Sequence, residues 1–372
     1  MTPMKDGLGK AAVQRLAGAL KKTAPSFDDR AFVRDAGRGL EKLELKPRVQ
    51  HVILALEKHL PADFPRALRI VLGAKRHWEA GDPKDPLRGF AAWPLIDYVA
   101  HAGLDDFDRS MAALRELTPL FTAEFAIRPF ILRYPKKSLA LLATWTADKD
   151  PKVRRLVSEG TRPLLPWGGH LQMFRDNPKP TLALLELLKD DPSEYVRRSV
   201  ANHLNDIGKD HPELLLATCK RWKRGASAER LWIIERATRS LVKAGHPGVF
   251  ELLGHGGAAH VRVQNLAVTP RRVCLGGSIE ICFTLTSRSK RRESLVVDYA
   301  IYHQKADGSM RPKVFKLRTL TLDKGSSVEI RKRHTLRAIS TRRYYRGAHA
   351  VEILVNGQPL AKTKFTLTLP KT

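Results

Sequence analysis

Apolar residues recur at helical spacing up to about residue 255 and alternate with polar ones beyond it. Phe32, Val33, Ala36 and Leu40, for example, fall on one face of a helix, and we predict that Ser26 caps it. Further helices are predicted at roughly 47–59, 64–79, 93–102, 107–117, 120–133, 136–147, 151–161, 179–189, 192–207, 212–223 and 228–244. Residues 1–255 are therefore expected to form an all-α domain.

The second half of this helical region repeats. Asp150-Pro151 followed by Val153-Arg154-Arg155 returns as Asp191-Pro192 followed by Val196-Arg197-Arg198, and aligning Val153 with Val196 gives an offset of 43 residues. Offsets near 40 are typical of two-helix repeats of the HEAT kind, in which the second helices line one concave face. We therefore predict a HEAT-like helical-repeat solenoid.

A second phrase recurs at an offset of 35 residues. It places a glutamate and an arginine one helical turn apart and follows them with proline, at Glu124, Arg128 and Pro129 and again at Glu159, Arg162 and Pro163. We predict that each proline ends its helix, because proline cannot continue the hydrogen-bond ladder.

Residues 261–372 are expected to form an all-β domain after a glycine-rich linker at 256–260. Strands are predicted at about 261–269, 278–287, 294–304, 313–321, 326–335, 348–356 and 359–369. Asn356-Gly357 is a strong hairpin signal, and Asp307-Gly308 marks another turn. Seven short strands predict an immunoglobulin-like (Ig-like) sandwich. The segment has no tryptophan, so the prediction concerns architecture only.

The charge of the chain points to a polyanionic partner. Sixty-six Lys and Arg against 38 Asp and Glu give a net charge of +28, which favours nucleic acid over an anionic membrane. No run of about 18 apolar residues is present, and residues 1–22 lack the features of a signal peptide. Three scattered cysteines indicate reduced thiols. We expect a cytosolic protein.

The predicted sandwich is the more basic part. Residues 261–372 hold 23 Lys and Arg against 7 Asp and Glu. Solubility alone is one explanation, but the clusters at 288–292 and 342–346 favour phosphate contacts. Lys290, Arg291 and Arg292 are predicted to lie in a loop between strands, from which they can reach into a groove of DNA.

The motifs of several common enzyme classes are missing. There is no phosphate-binding Gly-rich loop, no zinc-binding arrangement of His and Cys and no Gly-x-Ser-x-Gly elbow. Cys219 lies in an apolar helix and is interpreted as a core residue. We predict neither a metal site nor a cofactor, so any catalysis must use carboxylates, arginines and aromatic residues.

Three segments, read together and in order, resemble a known family. They are residues 124–130, residues 158–163 with Leu165-Pro166-Trp167, and residues 200–207. They resemble the signatures of the AlkC-type DNA alkylation repair glycosylases, which are built from HEAT-like repeats and share a superfamily with AlkD. One branch of the AlkC group carries a similar C-terminal Ig-like module.

The resemblance implies a monofunctional glycosylase that excises 3-methyladenine and 3-methylcytosine by cleaving the N-glycosidic bond in double-stranded alkylated DNA. It also implies that the enzyme bends the duplex without fully flipping the base, unlike most enzymes that act on a base. An N3-alkylated base carries positive charge and leaves readily, so carboxylates that stabilise the sugar and position water are sufficient.

Three carboxylates are candidates for that catalytic role. Glu159 is the first, although it could instead be only an intrahelical partner of an arginine. Glu124 is the second, with pairing to Arg128 as the alternative. Asp206 is the third, and bonding to the backbone at a helix C-terminus is its equally weighted alternative.

Trp167 and several cations complete the candidate site. Trp167 either packs on the lesion's sugar or base or forms a lid over the core. Neighbours on a helix point about 100° apart, so not every member of an Arg-Arg pair can face the concave side. The candidates for DNA binding are Arg128, Arg155, Arg162, Arg197 and Arg198 in the repeats and Lys290, Arg291 and Arg292 in the sandwich.

A non-enzymatic alternative remains open at this point. Helical-repeat solenoids are mostly binding scaffolds, and a basic one could hold nucleic acid or an acidic protein. The sequence gives no signal for oligomerisation or for an obligate protein partner. A monomer is the default expectation.

Overall fold

A computed structural model describes residues 3–255, 259–339 and 342–370. Two compact units are present, Met1–Ile207 and Gly208–Thr372, and the boundary between them falls within a helix. Residues 256–258 of the predicted linker lie outside the described residues. A helical region followed by an all-β region confirms the predicted fold class.

The first unit is helical. It contains α1 (Lys10–Thr23), α2 (Asp29–Gly37), α3 (Leu45–His59), α4 (Phe64–Ala74), α5 (Trp93–Ala102), α6 (Phe107–Leu117), α7 (Ile127–Arg133), α8 (Pro135–Trp145), α9 (Pro151–Gly160), α10 (Gln172–Asp176), α11 (Lys179–Leu188) and most of α12 (Glu194–Asp210). Helix α3 packs on α5 and α5 on α7, whereas α4 packs on α6 and α8 on α11. Alternate helices therefore form two layers, as helical repeats require.

The structure corrects several details of the predicted helices. Helices α1 and α10 were not predicted. The cap of α2 is Asp28, whose carboxylate accepts from the N–H of Ala31 at 2.9 Å, so the prediction of Ser26 was wrong. Pro129 lies in the first turn of α7, where its missing N–H breaks no hydrogen bond. Only Pro163 follows the end of its helix, α9.

The repeat is visible in how each Asp-Pro turn is held. Arg154 donates to the carbonyl oxygens of Asp148 and Lys149, and Arg197, 43 residues later, donates to those of Asp191 and Pro192. Arg154 also forms two hydrogen bonds with the carboxylate of Asp191 in the next repeat, at 2.6 and 2.9 Å. The first arginine of each Arg-Arg pair therefore fixes the turn of its own repeat.

The second unit joins four short helices to a β-sandwich. The helices are α13 (Pro212–Lys223), α14 (Ala228–Ala237), α15 (Arg239–Ala244) and α16 (Pro247–Leu252). The strands are β1 (Val261–Thr269), β2 (Arg272–Cys274), β3 (Ser278–Ser287), β4 (Glu293–Gln304), β5 (Met310–Leu322), β6 (Ser327–Thr335), β7 (Gly347–Val355) and β8 (Gln358–Thr368). Seven of these strands were predicted. The three-residue β2, parallel to β8, was not.

The strands form two sheets, in the orders β1-β3-β6 and β2-β8-β7-β4-β5. Their inner faces meet in a core that includes Ile281, Phe283, Val297, Ile353 and Phe365. All pairs except β2 with β8 are antiparallel. Alternate residues of each strand therefore enter the core, which explains the period of two in the sequence.

The predicted hairpin at Asn356-Gly357 is confirmed, with Val355 opposite Gln358. Asn356 adopts φ 47° and Gly357 φ 75°, the left-handed pair that a tight hairpin requires. The buried side chain of Asn356 accepts from the N–H of Val296 at 2.9 Å and donates to the carbonyl of His255 at 2.8 Å. One side chain thus joins the hairpin to β4 and to the end of the helical segment.

Asn356→Ala should lower the free energy of unfolding of the second unit by about 1–3 kcal/mol, because it leaves the buried N–H of Val296 unpaired. Urea unfolding would measure this loss. Asn265→Ala is the matched control, since Asn265 also has positive φ but is exposed. Equal losses in the two variants would mean that backbone strain, and not the hydrogen bonds, accounts for the effect.

Candidate active site

Five side chains form a line of alternating charge in the first unit. In order they are Glu124, Arg155, Glu159, Arg162 and Asp206, which we call the carboxylate–arginine chain. Arg155 Nη1 donates to Glu124 Oε2 at 2.7 Å, and its Nη2 lies 3.5 Å from Glu159 Oε1. Arg162 Nη1 donates to Glu159 Oε1 at 2.6 Å, and its Nε donates to Asp206 Oδ2 at 2.8 Å. The structure therefore brings the three predicted carboxylates together.

Three separate parts of the first unit supply the carboxylate–arginine chain. Glu124 lies in the turn before α7, Glu159 in the last turn of α9, and Asp206 near the end of α12. Arg155 precedes Glu159 by four residues within α9, and Arg162 follows it by three, just past the end of the helix, so both arginines can reach it. Glu159 is consequently the centre of the chain, with one arginine and one further carboxylate on each side.

Two residues of α12 hold Glu159 and its helix in place. Ser199 Oγ donates to Glu159 Oε2 at 2.6 Å. His203 Nδ1 donates to the carbonyl of Ser158 at 2.9 Å. Burial, together with repulsion from Arg162, lowers the pKa of His203 to about 3, so the ring is neutral at ordinary pH. Neither residue was singled out from the sequence.

The carboxylate–arginine chain is nearly buried, and its three carboxylates and two guanidinium groups give it a formal net charge of −1. Glu159 is 6% exposed, Asp206 2% and Arg162 6%. Burial by itself lowers the pKa of Arg162, but Glu159 and Asp206 outweigh it, and the pKa is raised. The guanidinium groups therefore stay charged and keep three carboxylates close together inside a protein of net charge +28.

Arg128 has a different role from the other arginines of the repeated phrase. It does not pair with Glu124, as the alternative interpretation supposed. Instead it donates to the carbonyl oxygens of Gly160 and Arg162, each at 2.9 Å, and to that of Gly169. Burial and repulsion from Arg162 lower its pKa to about 10. These contacts favour a structural role over DNA binding, because they tie the end of α9 to the loop that follows.

That loop presents Trp167 to solvent. Trp167 has φ 64° and is 50% exposed, so it is not a lid over the core. Its carbonyl accepts from Lys46 Nζ at 2.8 Å. Leu165 and Leu171 on either side are buried. The loop is therefore anchored at both ends and displays one large aromatic side chain.

Comparison with known proteins decides the family. Residues 262–369 match the family model described as the C-terminal Ig-like domain of the uncharacterised protein YhaZ. Uncharacterized protein YhaZ of Bacillus subtilis (strain 168) is 34% identical over 96% of this chain and 97% of its own. Pseudomonas fluorescens alkylpurine DNA glycosylase AlkC, solved bound to DNA containing an abasic-site analogue, is 38% identical, with a TM-score of 0.93 over 99% of this chain and 100% of that one. The chain belongs to the AlkC family.

The remaining predicted cations of this AlkC-family chain differ in exposure. Arg197 is held by the carbonyls of its Asp-Pro turn, as described above. Arg198 has a side chain that is 53% exposed and pairs with Glu194. In the second unit, Lys290, Arg291 and Arg292 are exposed in the β3–β4 loop, and Arg292 Nε lies 3.4 Å from Asp323. Arg198 and the β3–β4 loop are thus the most accessible of these cations.

A pocket of about 320 Å³, which was not predicted from the sequence, lies beside Trp167 in the first unit. Asp97 lines it, and Asp97 Oδ2 accepts from Trp93 Nε1 at 2.8 Å. Burial raises the pKa of Asp97 to about 7. The only signal in the sequence was the four-residue spacing of a tryptophan and an aspartate in an otherwise apolar helix, which is not specific.

Two absences concern the residues that the structure describes. None of the helices described is both long and apolar enough to cross a membrane. Within the same residues, no group of three or more His, Cys, Asp or Glu has the arrangement of a metal site.

Asp97 should make the stability of the first unit pH-dependent. A carboxyl whose folded pKa is about 7, against about 3.9 when unfolded, binds its proton more tightly in the folded state. The free energy of unfolding therefore falls as pH rises from about 4 to 7. Asp97→Asn should remove this contribution, on the order of 2 kcal/mol between pH 5 and 8.

Urea unfolding at pH 5 and pH 8 measures the effect as a difference between variant and wild type, in which the contributions of other groups cancel. Asp108→Asn, with a side chain that is 79% exposed, is the control and should keep the wild-type difference. If the free energy of unfolding of Asp97→Asn changes between pH 5 and pH 8 as much as that of the wild type, the pKa of Asp97 is not raised in the folded protein.

Proposed function

We propose that this protein is a DNA glycosylase that removes N3-alkylated bases, 3-methyladenine and 3-methylcytosine, from duplex DNA. The observation that carries the proposal is the carboxylate–arginine chain, in which three carboxylates are gathered next to the loop that displays Trp167. Membership of the AlkC family and the likeness to an alkylpurine DNA glycosylase support the same class of reaction.

The chemistry asks little of the protein beyond charge and position. The C1′–N bond breaks, and the electron pair leaves with the base, which becomes neutral because alkylation had made it cationic. An oxocarbenium-like sugar remains, and water attacks its C1′ while a carboxylate accepts the water's proton. The net negative chain stabilises the cationic sugar in a site from which water is mostly excluded.

Glu159 is assigned the position beneath the sugar. It is central in the chain, and its two oxygens are fixed by Arg162 and Ser199. A carboxylate that is already oriented need not reorganise as positive charge develops. Glu124 and Asp206, on either side, are the candidates for positioning the attacking water.

Trp167 and the exposed cations are assigned to holding DNA. The half-exposed indole would pack against the sugar or base of the lesion, consistent with a bent duplex in which the base is not fully flipped. Arg198 in the repeats and Lys290, Arg291 and Arg292 in the β3–β4 loop would contact phosphates. Arg155 and Arg162 mainly orient the carboxylates, and both side chains are largely buried.

Glu159→Gln should lower the single-turnover rate of excision from duplex DNA bearing one 3-methyladenine by about 2–3 orders of magnitude, because a charge-stabilising group is removed. Abasic-site formation is the measurement. DNA affinity and the circular dichroism spectrum, recorded alongside, should stay near those of the wild type.

Glu116→Gln is the control, because Glu116 is half-exposed and does not belong to the carboxylate–arginine chain. Wild-type excision by Glu159→Gln would remove Glu159 from the mechanism. Tight binding of the duplex by the wild type, with no abasic sites formed, would favour a binding scaffold over an enzyme.

Replacing Lys290, Arg291 and Arg292 together by Ala should weaken duplex binding and flatten its salt dependence. The slope of log K against log salt should change by about 0.9 for each DNA phosphate that the variant no longer neutralises. Binding isotherms at several salt concentrations measure it.

The charge-matched control replaces Lys5, Lys22 and Lys58, each already paired with a carboxylate, and should keep the wild-type slope. An equal change in both triple variants would mean that net charge, and not the β3–β4 loop, sets the slope.

A further inference from the structure

The pocket beside Trp167 has a mixed lining. Residues from α3, α5 and α7 and from the loop after α9 enclose about 320 Å³, near the small end of the range that ligand pockets span, about 300–1,000 Å³. Its walls include the aromatic Trp93 and Phe125 and the apolar Val49, Ile53 and Leu132. Such a space suits one small, flat, largely apolar molecule.

The aromatic wall is rigid before any ligand arrives. The rings of Trp93 and Phe125 are stacked with centroids 4.9 Å apart and an interplanar angle of 19°. Phe121 stacks on Trp93 as well, at 5.6 Å and 30°. Trp93 is 2% exposed and its N–H is committed to Asp97. These side chains are already fixed in the free protein, so binding a planar heterocycle against them costs little further conformational entropy.

Asp97 lines this pocket with an incomplete set of hydrogen bonds. Its Oδ2 accepts from Trp93, but its Oδ1 is buried and has no hydrogen-bond partner among the residues that the structure describes. Lys46 also lines the pocket, but its ammonium donates to the carbonyl of Trp167. A buried carboxyl oxygen without a partner is unfavourable, and a ligand N–H would remove that cost.

The pocket adjoins the carboxylate–arginine chain. Phe125 of its wall follows Glu124 in sequence, and Arg128 and Trp167 line it as well. Repulsion from Glu124 also contributes to the raised pKa of Asp97. The pocket therefore lies close to the carboxylates that the proposed reaction uses.

We propose that this pocket is a product site that binds the free N-alkylated purine base after excision, with Asp97 accepting an N–H of the base and Trp93 and Phe125 forming the wall beside its ring. The proposal rests on the proposed glycosylase function. Alkylated adenine fits the site because it is flat and its exocyclic amine supplies the missing donor. No covalent step is involved.

Equilibrium dialysis of free 3-methyladenine against the full-length protein without DNA tests the proposal. The wild type should bind the base saturably at one site. Asp97→Asn should weaken binding at least tenfold, since it replaces an accepting carboxylate by a side chain with its own donors. Asp108→Asn, exposed and remote from the pocket lining, should bind like the wild type.

A second variant keeps the test independent of the folding of Asp97→Asn. Leu132 is 59% exposed at the pocket wall, so Leu132→Trp should fill the pocket without disturbing the core and should abolish binding. Added 3-methyladenine should also slow multiple-turnover excision by the wild type and not by Leu132→Trp. No saturable binding by the wild type, or equal binding by the wild type and Leu132→Trp, would overturn the proposal.

The two proposals fail separately. Abasic-site formation without binding of the free base would overturn the product site and leave the glycosylase function intact. Binding of 3-methyladenine that depends on Asp97 and is blocked by Leu132→Trp, with no excision from any alkylated duplex, would overturn the glycosylase function and leave a purine-binding pocket.

Discussion

The alternation of charge from Glu124 through Arg155, Glu159 and Arg162 to Asp206 is the constraint on which the rest of the site depends. Three carboxylates cannot be gathered in a poorly hydrated region unless cations separate them, because like charges repel strongly there. Guanidinium is suited to this task, since one planar group can donate to two carboxylates at once. Buried ion pairs of this kind seldom add much stability once desolvation is counted, so the arrangement is better explained by function.

The surrounding residues serve to hold that chain rigid. Ser199 and His203 fix Glu159 and its helix from α12, and Arg128 binds the carbonyls at the end of α9 and in the Trp167 loop. Each of these three side chains donates a hydrogen bond to another group of the protein. The arrangement matches a general requirement of catalytic sites, in which a second layer of contacts limits the motion of the groups that act.

Periodicity and turn chemistry made most of the fold predictable. Helices such as α5 and α6 lie at the residues predicted, and the Asn356-Gly357 hairpin is confirmed, because these features depend on local spacing. The misses are also local in origin. Asp28 replaced Ser26 as a cap, since either residue type can accept the same N–H. Pro129 was assigned to a helix end although proline is equally well tolerated in a first turn.

The site itself was only half predictable. The resemblance in three short segments singled out Glu124, Glu159, Asp206 and Trp167, and the structure places the three carboxylates together. Which arginine pairs with which acid was not predictable. Arg128 lies four residues after Glu124, yet it binds backbone carbonyls, whereas Arg155, 31 residues away, pairs with Glu124. Asp97 and its pocket gave no distinctive signal, because a lone aspartate in an apolar helix is common.

The sequence by itself determined the two architectures, the period of the repeat and the sign of the charge, since each follows from spacing and composition along the chain. The tertiary structure decided which carboxylates lie close together, which arginines donate to backbone carbonyls and where a pocket is left between the helices. These features depend on how the helices pack against one another. A hydrogen bond requires its donor and acceptor to lie about 2.6–2.9 Å apart, and packing, not separation in sequence, brings them to that distance.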